Sequence, residues 1–281
     1  MVIDFHTHTF PAELASKALE KLSNASGTAA YTDGTAVGLV SSMHRSGIEL
    51  SVVLPVATNP KSCAHINDVS FQSQTSGLVF FGAMHPEAPD WHAELDRLAA
   101  RGVPGIKLHP VYQGIDFDDL RCLRILDRAG ELGLIVVTHA GDDIGFPGEQ
   151  RCTPEMLDNA LQQVGPVSLV AAHFGGWNNW ERVEPLSRYP NLMLDTAFSL
   201  GEIPTRMDGR FHGRSLQMLT QDQAMRLIRT FGAERILFGT DSPWTEQSRE
   251  IEKLNALPLT QKEREAIMGG NTERFLRRKR S

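Results

Sequence analysis

Val2-Ile3-Asp4-Phe5-His6-Thr7-His8 opens the chain, and it sets the terms for everything after it. Its apolar part is too short for a helix and runs straight into two histidines at i and i+2. Residues two apart on a strand point the same way, so His6 and His8 project together from the end of a buried strand. Side-by-side imidazoles suit a divalent transition metal. Such a pair alone is weak evidence. Its weight depends on what the rest of the chain brings to the same place.

The first run has seven counterparts: Ser51–Val56, Leu78–Met84, Gly105–His109, Leu134–Thr138, Val167–His173, Leu192–Asp195 and Ile236–Gly239. They are short, rich in Val, Ile, Leu and Phe, and continuously apolar, which predicts strands buried on both faces. Amphipathic stretches alternate with them over Ala12–Ser23, Ala36–Ser46, His65–Ser76, Trp91–Arg101, Asp119–Leu132, Pro154–Val164, Asn179–Arg188 and Gln221–Phe231. Thr153-Pro154-Glu155 reads as an N-cap followed by proline in the first turn. Eight such repeats predict the α/β class, a (β/α)₈ TIM barrel forming a single domain over residues 1–281. A doubly wound sheet also alternates, but no GxGxxG follows the first strand. Glu246–Ala256 and Leu259–Arg278 read as extra C-terminal helices. Two polar segments interrupt the pattern. Asn24–Gly34 reads as a loop near the barrel mouth, and Ser199–Ser215, with Arg206, Arg210 and Arg214, as a lid or a disordered loop.

His139 ends the fifth run, His173 the sixth and Asp241 follows the eighth. Taken singly, each reads as a satisfied core or rim residue. A closed barrel brings all those strand ends to one mouth, the face where barrel active sites lie. Taken together with His6 and His8, they predict a metal site.

The constellation resembles the amidohydrolase superfamily, in the branch that holds aminocarboxymuconate-semialdehyde decarboxylase with related decarboxylases, hydratases and hydrolases. The resembling pieces are Ile3-Asp4-Phe5-His6-Thr7-His8, Gly105-Ile106-Lys107-Leu108-His109-Pro110, Thr138-His139, Ala172-His173-Phe174-Gly175-Gly176, Leu237-Phe238-Gly239-Thr240-Asp241-Ser242-Pro243-Trp244 and Gly270-Asn271-Thr272-Glu273-Arg274-Phe275-Leu276. They span nearly the whole chain. The resemblance implies that His6, His8, His139 and Asp241 hold one divalent metal, most often Zn2+, with Mn2+ or Fe2+ as alternatives. It implies a catalytic His173 beside the metal-bound water, or a ligand role for it if a second metal binds. Asp241 then doubles as general base. Asp4 is expected to be structural and to point away from the two histidines.

Lys107 lies at the fourth strand end and has two readings, a carboxylated bridge between two metals or a cation for a substrate carboxylate. His109, Trp177 and Trp244 are further candidates for substrate binding, with Phe10 on the pocket wall. His85 is a candidate rim residue, and Arg206, Arg210 and Arg214 are candidate carboxylate clamps. The expected activity is hydrolysis of a C–N or C–O bond (amide, lactone or ester) in a small organic acid, with metal-bound water as nucleophile. The alternative is non-oxidative decarboxylation of an aromatic or unsaturated acid in the same site. A decarboxylase is expected to hold its carboxylate with an arginine, and only Arg45 lies in that part of the chain, which tilts the expectation to hydrolysis. A non-catalytic binding barrel is a third reading.

The formal net charge of −6 and the absence of a basic face exclude a nucleic-acid binder; Arg277-Arg278-Lys279-Arg280 reads as a solvated helix end. Cys63, Cys122 and Cys152 are odd in number and widely spaced, which points to no disulfide framework and to a reduced, cytoplasmic setting. No signal peptide is expected from the first residues, and no apolar run spans a bilayer. The expected partners are a small-molecule substrate and, as one option, a second copy of the chain in a homodimer. No membrane partner is expected.

Overall fold

The computed structural model describes residues 1–73 and 75–277. Eight parallel strand positions form the centre: β1 (Ile3–Thr7), β2 (Leu50–Val53), β3 (Leu78–Phe80, resuming at Gly82–Ala83), β4 (Gly105–Leu108), β5 (Ile135–Thr138), β6 (Ser168–Ala171), β7 (Leu192–Asp195) and β8 (Ile236–Leu237). β1 to β3 pair in sequence order, and the second segment of β3 continues through β4 to β8. The ring closes between β8 and β1. There Phe5 N–H donates to Phe238 O at 2.7 Å, Asp241 N–H to His6 O at 2.8 Å and His8 N–H to Ser242 O at 2.7 Å. The predicted (β/α)₈ barrel is therefore the observed one.

Around it run α1 (Ala12–Ser26), α2 (Ala36–Ser46), α3 (Cys63–Gln72), α4 (Trp91–Ala100), the short α5 (Pro110–Gln113), α6 (Leu120–Glu131), α7 (Pro154–Gln163), α8 (Gln221–Phe231) and the C-terminal α9 (Gln247–Asn255), α10 (Gln261–Glu265) and α11 (Asn271–Arg277). Both strand faces are buried, as continuous apolar runs require. The outward face packs Ile106, Leu108, Val136 and Leu169 against Leu98, Leu123, Leu126 and Leu157 of the helices. The inward face packs Phe5, Val52, Phe81, Val137 and Leu237, with Phe275 of α11 against them. Phe5 meets Phe81 edge-on at 5.8 Å and Phe275 at 6.3 Å. This filled interior leaves the chemistry to the mouth.

One irregularity decides where Asp4 goes. Ile3 and Asp4 pair with Leu50 and Ser51, but Thr7 pairs with Val53, so β1 carries an extra residue. Strict alternation would set Asp4 on the His6 side. With the bulge, its carboxylate instead accepts from Thr240 N–H (3.0 Å), Thr240 Oγ1 (2.6 Å) and Gln247 Nε2 of α9 (2.8 Å). Asp4 is structural and points away, as expected. It pins the chain after β8 to β1.

The structure departs from expectation in three places. Asn179–Arg188 is not an α-helix but two 3₁₀ turns, Trp180–Arg182 and Glu184–Arg188. Pro185 has no N–H to continue a helical ladder and its ring clashes with the preceding turn. Ser199–Ser215 is part of an ordered hairpin, in which Glu202–Ile203 pairs with Leu216–Gln217. The Asn24–Gly34 loop is tied to it, since Thr28 bridges Thr205 and Arg206 N–H donates to Gly27 O at 2.9 Å. The last helix is divided by a π turn over Ala266–Gly270, where a Cβ on Gly269 would meet Met1 O at 2.7 Å, so the backbone of β1 can pack against it. Of the basic tail only Arg277 lies within the described residues, paired with Glu273. All three cysteines are buried and unpaired. Among the described residues no helix is long and apolar enough to cross a membrane.

Candidate metal centre

His6 is the penultimate residue of β1 and His8 the first residue beyond it. His6 Nδ1 lies 2.8 Å from Asp195 Oδ2, and His8 Nδ1 lies 2.8 Å from Leu54 O. A backbone carbonyl only accepts, so His8 carries its proton on Nδ1 and presents Nε2 elsewhere; Asp195 sets His6 the same way. The two Nε2 atoms are 3.2 Å apart. Asp241 Oδ1 completes a triangle at 3.4 Å from His6 Nε2 and 3.1 Å from His8 Nε2. Three acceptors thus converge with no donor between them. Ligands about 2.0–2.1 Å from a tetrahedral or octahedral cation stand roughly 2.8–3.4 Å apart, so the residues fit a divalent metal.

Local backbone features hold the triangle. A Cβ on Gly239 would meet His6 Cβ at 2.9 Å, so only glycine admits the ring there. Asp241 sits at φ 64°, a left-handed conformation rare outside glycine, and so do His173 at 59° and Phe174 at 51°. Asp195 Oδ1 accepts from the N–H groups of His173 (2.8 Å) and Ala197 (3.1 Å), so one carboxylate aims His6 and anchors the His173 turn. Burial raises the pKa of Asp195 against the His173 charge and those backbone bonds. Burial also opposes ionisation of Asp241, but the surrounding imidazoles of His8, His6 and His173, when they carry their second proton, outweigh it and hold its pKa below the carboxylate range.

The other half of the mouth is arranged differently. His139 follows β5 and His173 lies two residues beyond β6. His139 Nε2 donates to Asp142 O at 3.0 Å and His173 Nδ1 to Ala197 O at 2.9 Å. Their remaining nitrogens, His139 Nδ1 and His173 Nε2, face each other at 3.0 Å as a second pair of acceptors. His109 stacks on His139 at 4.4 Å and on Tyr112 at 3.9 Å. Its Nε2 is 3.6 Å from Asp143 Oδ2, and His139 Nε2 is 3.8 Å from the same oxygen. The imidazoles and carboxylates therefore divide into two groups with metal-ligand spacing, His6–His8–Asp241 and His109–His139–Asp143. His139, expected in the first, belongs to the second by spacing and reaches towards the first through His173.

Burial, followed by neighbouring positive charges, lowers the pKa of His139 and His173 to about 4, and that of His6 and His109 well below the ordinary value. Neutral imidazole is the form that binds a metal. Lys107 is fully buried, and its Nζ has no hydrogen-bond partner. Burial pushes its pKa down to about 8 against the charges of Asp195 and Asp241.

A cavity of about 620 Å³ opens over these groups. Lys107, His109, Trp177, Trp244 and Phe10 all line it. The ring N–H of Trp177 is a second buried donor without a partner. His85 does not line it; its Nδ1 accepts from Glu87 N–H at 3.1 Å. The arginine clamp is absent from the described lining: Arg206 pairs with Asp208, and Arg210 reaches Ile144 O and lies over Phe211. Asp195, Asp143 and Tyr112 were not among the sequence candidates. Asp195 carries the same strand-end signal as the histidines, whereas Asp143 and Tyr112 lie in a loop and a one-turn helix where no period marks them.

A closed parallel barrel with imidazoles and carboxylates gathered at its C-terminal mouth defines a barrel enzyme by architecture and site. The chain belongs to the Amidohydrolase family (Amidohydro_2), whose sequence profile matches residues 3–278. Searched against curated proteins, the sequence finds no match. Among solved structures it resembles an uncharacterised TIM-barrel protein, Bb4693 of Bordetella bronchiseptica (18% identity, TM-score 0.71, covering 100% of this chain and 99% of that one). It also resembles 5-carboxyvanillate decarboxylase LigW of Sphingomonas paucimobilis (12%, 0.72, 98% of each). A candidate 2-pyrone-4,6-dicarboxylic acid hydrolase of Pseudomonas putida is similar too (19%, 0.65, 98% and 97%). At such identities the likeness is one of fold.

Proposed function

We propose that the chain is a metal-dependent hydrolase acting on a C–N or C–O bond (amide, lactone or ester) of a small organic acid. The observation that carries this reading is the triangle of His6 Nε2, His8 Nε2 and Asp241 Oδ1, three acceptors within 3.4 Å of one another. His6, His8 and Asp241 would hold a divalent cation, with zinc the best match to a nitrogen-rich donor set, which would supply Lewis-acid polarisation of a carbonyl and a lowered pKa of water. Asp241, held ionised, takes the proton of an attacking water and returns it to the leaving group. His173, neutral and fixed through Ala197 O, orients that water or the substrate oxygen. Lys107 and the Trp177 N–H, both unpaired donors, hold the substrate's carboxylate. The Asp195 carboxylate aims His6 and takes no part in the bond changes.

Decarboxylation of an aromatic or unsaturated acid is the second reading. It is favoured by the place of Lys107, whose ammonium would hold a carboxylate close to Asp241. The structural neighbours carry both kinds of name. Hydrolysis leads because no arginine lines the described cavity to hold a carboxylate for loss. The three unpaired cysteines support a reducing compartment, the cytoplasm. Lactones and hydroxybenzoates screened side by side in ¹⁸O-water separate the reactions. Label in the product acid supports hydrolysis; CO₂ release without label overturns it.

A further inference from the structure

We infer that the substrate carries an extended apolar tail, bound in an annex of the cavity between α1 and α3. This rests on the proposed reading of the mouth as the place where the acid head group reacts. A cavity of roughly 150 Å³ takes a benzene ring, whereas this one measures about 620 Å³. A single-ring acid at the centre would leave most of it unfilled.

The surplus space has a distinct lining. Leu14, Ala18 and Leu22 of α1 fall at i, i+4 and i+8, one face of the helix, and all border the cavity. Ile66 and Val69 of α3 border it as well. Lys21 of α1 and His65 of α3 also border the cavity, while Ser70 of α3 and Ser73 at its C-terminal end turn their hydroxyls back to the helix. Ser70 Oγ donates back to Ile66 O at 2.9 Å and Ser73 Oγ to Val69 O at 2.8 Å. The α1 stripe runs for roughly 12 Å at 1.5 Å per residue.

This apolar face is not consumed by folding. Leu14 is 53% exposed, and neither Leu14 nor Leu22 joins any packed apolar cluster among the described residues. The annex is continuous with the space over His6, His8 and Lys107, so a ligand whose head reaches Lys107 has its far end directed there. The chemistry that matches is an acid, ester or lactone with an alkyl or aryl extension.

The test is a calorimetric series of linear alkanoates, acetate to decanoate, on zinc-supplemented protein, with zinc content measured in the same samples. Each added methylene buried in the annex should lower Kd about fourfold. Ala18→Trp, which fills the annex, should flatten the series beyond butyrate. Val69→Asp, a second variant should the first not fold, should weaken decanoate much more than acetate. A flat wild-type series with acetate bound overturns the annex, and so does an unchanged slope in both variants. A steep series in protein that holds no zinc upholds the annex while removing the metal reading, so the two failures are distinct.

Discussion

The two halves of the barrel mouth are built in opposite ways. Around β1, β7 and β8, each imidazole is aimed by a fixed partner: His6 by Asp195 and His8 by Leu54 O. The bare nitrogens and Asp241 are left facing one another. On the β4 side, Lys107 Nζ is buried with no hydrogen-bond partner among the described residues, and His109 touches Asp143 only at 3.6 Å. An assembly of aimed acceptors suits a cation. A buried ammonium suits an anion. On the reading proposed above, metal binding falls to the first half and recognition of a substrate acid to the second, and each variant below should disturb one half without the other.

Asp241→Ala should have the largest effect. Removing the only carboxylate of the triangle should abolish zinc retention by elemental analysis and cut turnover at least about 10³-fold, beyond the 10–100-fold typical of orienting partners. Asp195→Asn should fall inside that 10–100-fold range for zinc affinity, measured by chelator competition, because His6 remains but is no longer aimed. Zinc lost equally from both variants would show that Asp195 is more than a positioning residue.

Lys107→Met should leave zinc content intact and weaken binding of carboxylate ligands about 10–100-fold, the worth of a charge-assisted hydrogen bond. It also changes the pH dependence of stability. The folded pKa of Lys107, about 8, lies below the ordinary 10.5. The wild type therefore releases that proton on folding between those pH values, and its stability rises with pH there. In metal-free protein, the stability of the wild type relative to Lys107→Met should improve by about 3 kcal/mol between pH 8 and pH 10.5, seen by denaturant titration. No such convergence would place a partner on Lys107.

Burial also holds His6 well below the ordinary histidine value, so protons should compete with zinc at that ring only in acid well below pH 6.5. Dialysis across that range, with circular dichroism to monitor folding, checks it. The smallest effect belongs to Asp4→Asn, which turns an amide N–H towards groups that already donate. It should cost roughly 1–3 kcal/mol of stability and little zinc, by thermal melts and elemental analysis.

Much of the metal half is legible in the chain because it rests on two simple periods. Alternation pairs His6 with His8, and barrel closure gathers the residues that follow β5, β6 and β8. The substrate half is less legible. Lys107 and His109 stand on a strand, but Asp143 and Tyr112 come from loop and short-helix positions that only the folded backbone brings together. The β1 bulge leaves no mark in the residue pattern, though it alone frees Asp4 for Thr240 and Gln247. Pro185 does mark the failed helix at Asn179–Arg188. The annex depends on how α1 lies beside α3, a tertiary fact that amphipathic spacing cannot convey.

His6, His8 and Asp241 are proposed to surround a cation. Diffraction from zinc-soaked crystals on both sides of the zinc absorption edge should then show an anomalous peak about 2.0–2.2 Å from His6 Nε2, His8 Nε2 and Asp241 Oδ1. A peak confined to the His109–His139–Asp143 group, or none in fully soaked crystals, would contradict the proposal.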